Sequence, residues 1–326
     1  MIQKRAATAL VFLSPIFLSI FLLIPGSLPA QQPSQIRMPT ITALAATPDG
    51  AGYVSGSQAG LAFRAWDGES DQAIATGLDH VHHLSFSPDG SLLAVAGGSP
   101  AESGEVELWS WPERKRLRQL EGHDDVVYAA EWLGDGKTIV TASADRTVRV
   151  WDSATGELRA TLTGHSGPVL CLAVAPDGKL ICSGSADQTI RVWDTSNWQL
   201  VRAMTNHLGP VHGLSFREPA AAGSERRPSY LASAGGDGTV RIWQPEIGRM
   251  VRIVRHPAPA FCVGWDEAGI LWSGSKDGQL RMIDADLGAV RREEPRSSGW
   301  IMSLCIRGAG PQIVIGDSLG QIAVSP

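Results

Sequence analysis

A twelve-residue segment recurs along this chain at intervals of about forty residues, and no other feature limits its fold so severely. The stretch Ser183-Gly184-Ser185-Ala186-Asp187-Gln188-Thr189-Ile190-Arg191-Val192-Trp193-Asp194 reappears with few changes from Ala142 to Asp152 and from Ser233 to Trp243. A degraded copy runs from Ser273 to Asp284, with Ile283 where the others carry Trp. Trp109, Trp151, Trp193 and Trp243 are 42, 42 and 50 residues apart, and Ile283 follows 40 later. A histidine stands upstream of each: His80, His123, His165, His207 and His256. A first repeat ends near Trp66-Asp67 and a last one passes through Ile313–Gly316, which brings the count to seven. A fixed period of this length marks a unit that cannot bury its own faces and is stable only against its neighbours.

Within each repeat, short apolar runs alternate with period two, as in Val169–Val174 and Thr189–Trp193. Turn signals divide them: Pro48-Asp49-Gly50, Pro88-Asp89-Gly90, Gly134-Asp135-Gly136 and Pro176-Asp177-Gly178. No stretch after the N-terminal region has helical periodicity long enough to supply crossover helices, so the sheets must be antiparallel. The chain is 43% hydrophobic and 19% charged, which excludes a disordered polymer. A formal net charge of -5 argues against a nucleic-acid partner, which would demand a basic stripe. Four cysteines among 326 residues do not make a disulfide scaffold.

The Gly-His, Ser/Thr-x-x-x-Asp and Trp-Asp elements at this period resemble those of WD40-repeat β-propellers. The resemblance covers residues 40–326 and is strongest in repeats three to five. It implies an all-β fold, a seven-bladed β-propeller of four-stranded antiparallel blades, closed by pairing of N- and C-terminal strands. Residues 31–39 then serve as a linker and, through Gln35–Met38, as the outer strand of the last blade. The resemblance also implies a structural hydrogen-bond network in each regular blade: His123, Thr141, Asp145 and Trp151; His165, Ser183, Asp187 and Trp193; His207, Ser233, Asp237 and Trp243; and, shortened by Ile283, His256, Ser273 and Asp277. These side chains could be mistaken for a catalytic triad, but a nucleophile site occurs once and this set recurs. No Walker loop, dinucleotide fingerprint, zinc spacing or serine elbow is present, and neither a cofactor nor a metal is expected.

The first 30 residues have the order of a secretory signal. Lys4 and Arg5 precede 19 uncharged residues, Ala6–Ile24, and Pro25-Gly26 and Ala30 follow. A cleaved signal and an anchor formed by residues 6–24 both fit this run, and both send the bulk of the chain out of the cytoplasm, secreted or periplasmic. A membrane is contacted only if the segment stays uncleaved.

The expected role is a non-enzymatic scaffold that binds a protein or peptide at one rim of the ring. His82, His83, Glu102, Asp124, Asp125, Arg146, Gln188, Lys276 and Trp300 are the candidate partner surface. The insertion Ser99–Gly104 lies on the same rim, with His80 in the usual histidine slot. Trp300 matches Pro168, and it is either an exposed anchor or a packing residue. The longest insertion, Glu218–Ser229 with Arg226-Arg227, is expected on the opposite rim as a solvated loop. The rival reading is an enzyme or carbohydrate sensor that uses the central opening. Cys171 and Cys182 fall on neighbouring strands; free buried thiols are favoured over a bond, because directly opposed strand residues suit a disulfide poorly.

Overall fold

The structure, a computed structural model, describes residues 38–66, 71–218, 229–307 and 312–325. They form seven antiparallel sheets set radially as blades, with no helix among them. The inner strands are Ile41–Ala46, Val81–Phe86, Val127–Trp132, Val169–Val174, Val211–Phe216, Ala260–Trp265 and Ile301–Arg307. Each lies beside the next, and the last lies beside the first, so the ring is closed. Six sheets have four strands in sequence order, and the seventh has three among the described residues. The N-terminal segment of residues 1–30 lies outside the described residues, as do Gln35–Arg37 and residues 219–228 of the longest insertion.

Sheet position explains the sequence pattern. The second strands, such as Thr138–Ser143 and Leu231–Gly235, are buried along their whole length. Neighbouring blades cover both faces there, so apolar and small residues run on without alternation. Outer strands such as Leu158–Leu162 expose most of their residues and carry the charges. The inner-to-second turns close on glycines at φ 70, 71, 63 and 70 (Gly50, Gly90, Gly136, Gly178), a left-handed backbone that a Cβ penalises.

The closing seam joins the first and last blades through side chains. Thr40 Oγ1 donates to Ser318 O at 3.2 Å, and Ser303 Oγ donates to Ile41 O at 3.1 Å. The Arg307 guanidinium lies 5.3 Å from the centre of the Trp66 ring. Met38 and Pro39 pack so closely on Gly320 that a Cβ there would fall 2.4 Å from Met38 Cβ. The chain therefore enters the ring against the last blade.

Candidate functional site

Blades three, four and five each contain a hydrogen-bonded chain from loop to strand. In blade three, the Trp151 indole donates to Thr141 Oγ1 at 2.8 Å, which lies 2.7 Å from His123 Nε2. His123 Nδ1 is in turn 2.6 Å from Asp145 Oδ2. Blade four repeats this with Trp193–Ser183 at 2.9 Å, Ser183–His165 at 2.8 Å and His165–Asp187 at 2.9 Å. Blade five repeats it with Trp243–Ser233 at 2.9 Å, Ser233–His207 at 2.7 Å and His207–Asp237 at 3.0 Å. The geometry demands a neutral imidazole whose Nδ1–H donates to the carboxylate and whose Nε2 accepts the hydroxyl proton. Burial lowers the pKa of all three histidines despite the adjacent carboxylates. Burial alone would raise Asp187, but hydrogen bonds from Thr189 and His165 hold it near 2. Each hydroxyl is thus committed to its own blade.

Blade six departs from the expected set. Asp277 turns to Arg281, whose Nη2 donates to Oδ2 at 2.6 Å, while Ser275 also donates to Asp277. His256 keeps only a 3.4 Å contact to Ser273, and its buried Nδ1 has no hydrogen-bond partner. The cause lies in the sequence: Ile283 supplies no indole to orient Ser273, and the fully buried Arg281 competes for the carboxylate.

Blade two solves the same problem with a residue that the repeat pattern hides. Glu107, fully buried, accepts from Thr76 Oγ1 at 2.6 Å, Gly77 N at 2.9 Å, Trp109 Nε1 at 3.1 Å and Arg116 Nη1 at 2.7 Å. One carboxylate replaces the histidine, hydroxyl and aspartate together. Its only sequence signal is a glutamate in a strand position where repeats three to six carry arginine, at Arg149, Arg191, Arg241 and Arg281.

The histidine cluster sits differently from its sequence expectation. Gly98 N donates to His80 O as Ala186 N does to Pro168 O, so His80 occupies the position just before the inner strand rather than the usual slot, which Leu78 fills. His82 and His83, expected on the partner surface, are half-buried residues of the inner strand Val81–Phe86. His83 Nδ1 lies 3.0 Å from Ala130 O, in the seam between blades two and three. His82 stacks on His80 and meets the edge of Tyr128 at 5.1 Å.

Most of the rim residues are exposed: Glu102, Asp124, Arg146, Gln188 and Lys276. Asp125 is half-buried and engaged, accepting from Ala101 N and Val126 N at 2.8 Å each, which ties the Ser99–Gly104 insertion to blade three. Arg146 and Gln188 both adopt φ 72, where blades five and six place Gly238 and Gly278. Trp300 precedes the last inner strand, with its carbonyl accepting from Ser318 N. It is 43% exposed, stacked on Phe261 at 5.8 Å and capped by Lys276 Nζ at 4.5 Å.

A further ring of residues lines the central opening, a space of about 190 Å³. Every inner strand has a register shift at its second residue. Such a bulge re-aims a side chain, and these point inward: Thr42, His82, Tyr128, Leu170, His212, Phe261 and Met302. Sequence reasoning missed this ring because no residue type repeats at the position. The described residues hold no group of three or more His, Cys, Asp or Glu side chains placed to bind a metal. All four cysteines are free thiols; Cys171 pairs with Gly184 and Cys182 with Ala173, so the two are not opposed.

A family model for the WD domain, G-beta repeat, matches residues 72–110, 114–152, 156–194 and 198–244, together half of the chain. Protein Notchless of Drosophila melanogaster is 38% identical over 196 residues, 60% of this chain and 40% of its own length. WD repeat-containing protein 1 of Xenopus tropicalis is 35% identical over 92 residues, 26% of this chain and 14% of its own. An uncharacterized WD repeat-containing protein of Synechocystis is 33% identical over 125 residues, 37% of this chain and 34% of its own. The chain therefore spans well under two thirds of each of these relatives. The blade networks and the matched repeats together make this chain a member of the WD40-repeat family.

Proposed function

We propose that the protein is a non-enzymatic, extracytoplasmic platform that binds a protein or peptide partner at the rim carrying Trp300. The supporting observation is how its polar side chains divide. In blades three to five the recurrent His, Ser/Thr and Asp side chains are buried and bonded within their own blades, which leaves them to stabilise the fold. The rim instead holds Trp300 half-exposed between Phe261 and Lys276, a preorganised aromatic of the kind that anchors interfaces. Arg146 and Gln188 hold a backbone conformation that costs about 1–2 kcal/mol for a residue with a Cβ, and strain of this kind concentrates at functional surfaces. The N-terminal apolar run supports a secreted, periplasmic or anchored location.

The test is affinity capture from the extracytoplasmic fraction with wild type and Trp300→Ala. The variant should lose the captured partner while melting within about 1 kcal/mol of wild type. Equal capture by both would reject the anchor. Sequencing the N-terminus of the exported chain checks the location: a start after Ala30 identifies a cleaved signal, and recovery from the cytosol refutes the export reading.

A further inference from the structure

Blade two alone carries an imidazole both just before its inner strand, at His80, and at the bulged second residue of that strand, at His82. The first position holds Thr40, Val126, Pro168, Pro210, Pro259 and Trp300 in the other blades. The bulge position holds one further histidine, His212 of blade five, which has Pro210 two residues before it. Strand residues two apart share a face. The His80 and His82 rings accordingly lie together, with centres 6.2 Å apart and planes 12° from parallel. His83 points the other way, into the seam with blade three.

The protein leaves these two rings unused. His123, His165 and His207 engage both ring nitrogens. His80 Nδ1 is buried with no hydrogen-bond partner. His82 makes ring contacts with His80 and Tyr128. Burial, with the neighbouring His80, lowers the pKa of His82 to about 4, so at neutral pH its imidazole is uncharged and keeps a lone pair. A buried polar atom without a partner calls for an explanation, and an unfilled ligand role supplies one. The surroundings favour a cation. Asp79 adjoins His80 in the chain, and Asp125 lies close enough to Tyr128 to help burial raise the pKa of its phenol.

We infer that His80 and His82 together bind one first-row transition-metal ion, of the Zn²⁺ or Cu²⁺ kind, with solvent supplying the remaining ligands. Imidazole nitrogens suit these ions, whereas Mg²⁺ and Ca²⁺ take oxygen ligands. Metal–nitrogen bonds of about 2.0–2.1 Å place two rings on one tetrahedral ion with their centres about 5 Å apart. Side-chain rotation that draws the rings together by about 1 Å therefore completes the site without moving the strand. The two-residue spacing matches no zinc signature, so the sequence raises no expectation of a metal here. The site is independent of the partner-platform reading.

The full chain, free of any tag and stripped of metal by chelator, is titrated calorimetrically with Zn²⁺. One ion per chain should bind with a Kd on the order of 10 μM. His80→Phe and His82→Phe should each weaken binding at least about tenfold, whereas His212→Phe should leave it unchanged. Melting curves in chelator separate a folding defect from the loss of a ligand. Electron paramagnetic resonance of bound Cu²⁺ gives a reading on the wild type itself, which should show two nitrogen ligands, and each single variant should show one. No binding at millimolar Zn²⁺, binding that survives either substitution, or a wild-type Cu²⁺ spectrum without two nitrogens would each overturn the inference.

Discussion

His165 and His256 occupy the same slot in two blades, and their surroundings give them different acid sensitivities. His165 donates to Asp187 and is paired at both nitrogens. His256 has lost its carboxylate to Arg281, and burial with that nearby guanidinium drives its pKa down to about 4. A histidine whose folded pKa is depressed favours folding fully above its unfolded value near 6.5. Its contribution disappears as pH falls from 6.5 to about 4, because only the unfolded chain binds the proton in that window. Asp187, held near 2, acts lower: its contribution is full above about 3.8 and is lost as pH falls toward 2. The melting temperature should therefore drop between pH 7 and 4.5, and the drop should be smaller in His256→Gln. Circular dichroism melts of both proteins at both pH values measure this, and identical drops would place the sensitivity elsewhere.

Individual blades show how one task is met by different chemistry. Blades three to five bridge loop and strand with histidine, hydroxyl and aspartate, and that solution was legible because three identical residue types recur at fixed spacing. Blade two uses Glu107, which was not legible, because its partners Thr76 and Arg116 lie 31 and 9 residues away and belong to no repeated element. Glu107→Ala would strip Arg116, Thr76, Gly77 and Trp109 of their common acceptor. A loss of about 3–5 kcal/mol is expected, as for removing one partner of a buried pair. Chemical denaturation should show it as a lower midpoint, whereas the conservative Glu107→Gln should retain part of the stability. The blade seams carry a second unpredicted element. Trp132 donates across to Ser85 O at 3.1 Å, and Trp265 donates across to Ser215 O at 3.0 Å, each at the last residue of an inner strand. Sequence periodicity reports which residues a strand buries but not which neighbouring carbonyl an indole reaches.

Considered whole, the ring is stable only because it closes, and closure is decided at one seam. Gly316 of the last blade faces Ile41 of the first so tightly that a Cβ would fall 2.4 Å from its Cγ2. Gly316→Val should force the first and last blades apart and destabilise the entire propeller rather than one blade, since each sheet relies on both neighbours. Hydrogen exchange checks this: protection should fall in blades far from the substitution as well as beside it. Loss confined to the seam would mean that the blades unfold independently. The turns of blades one to four (Pro-Asp-Gly in three of them, Gly-Asp-Gly in the other), the strand alternation and the number of blades were all readable in advance, because each rests on local patterns that recur along the chain.

The amino-acid sequence alone determined the antiparallel blades, their number and the three regular networks. Each arises from short-range patterning, repeated often enough to separate it from chance. Tertiary structure alone decided what the irregular residues do. It moved His80 out of the expected slot, seated His83 in a blade seam, gave Asp277 to Arg281 and aimed seven unrelated side chains into one opening. Those outcomes depend on which blades become neighbours and where each strand bulges. Neither is encoded in the spacing of any single repeat, because contacts across a closed ring join residues that are remote along the chain.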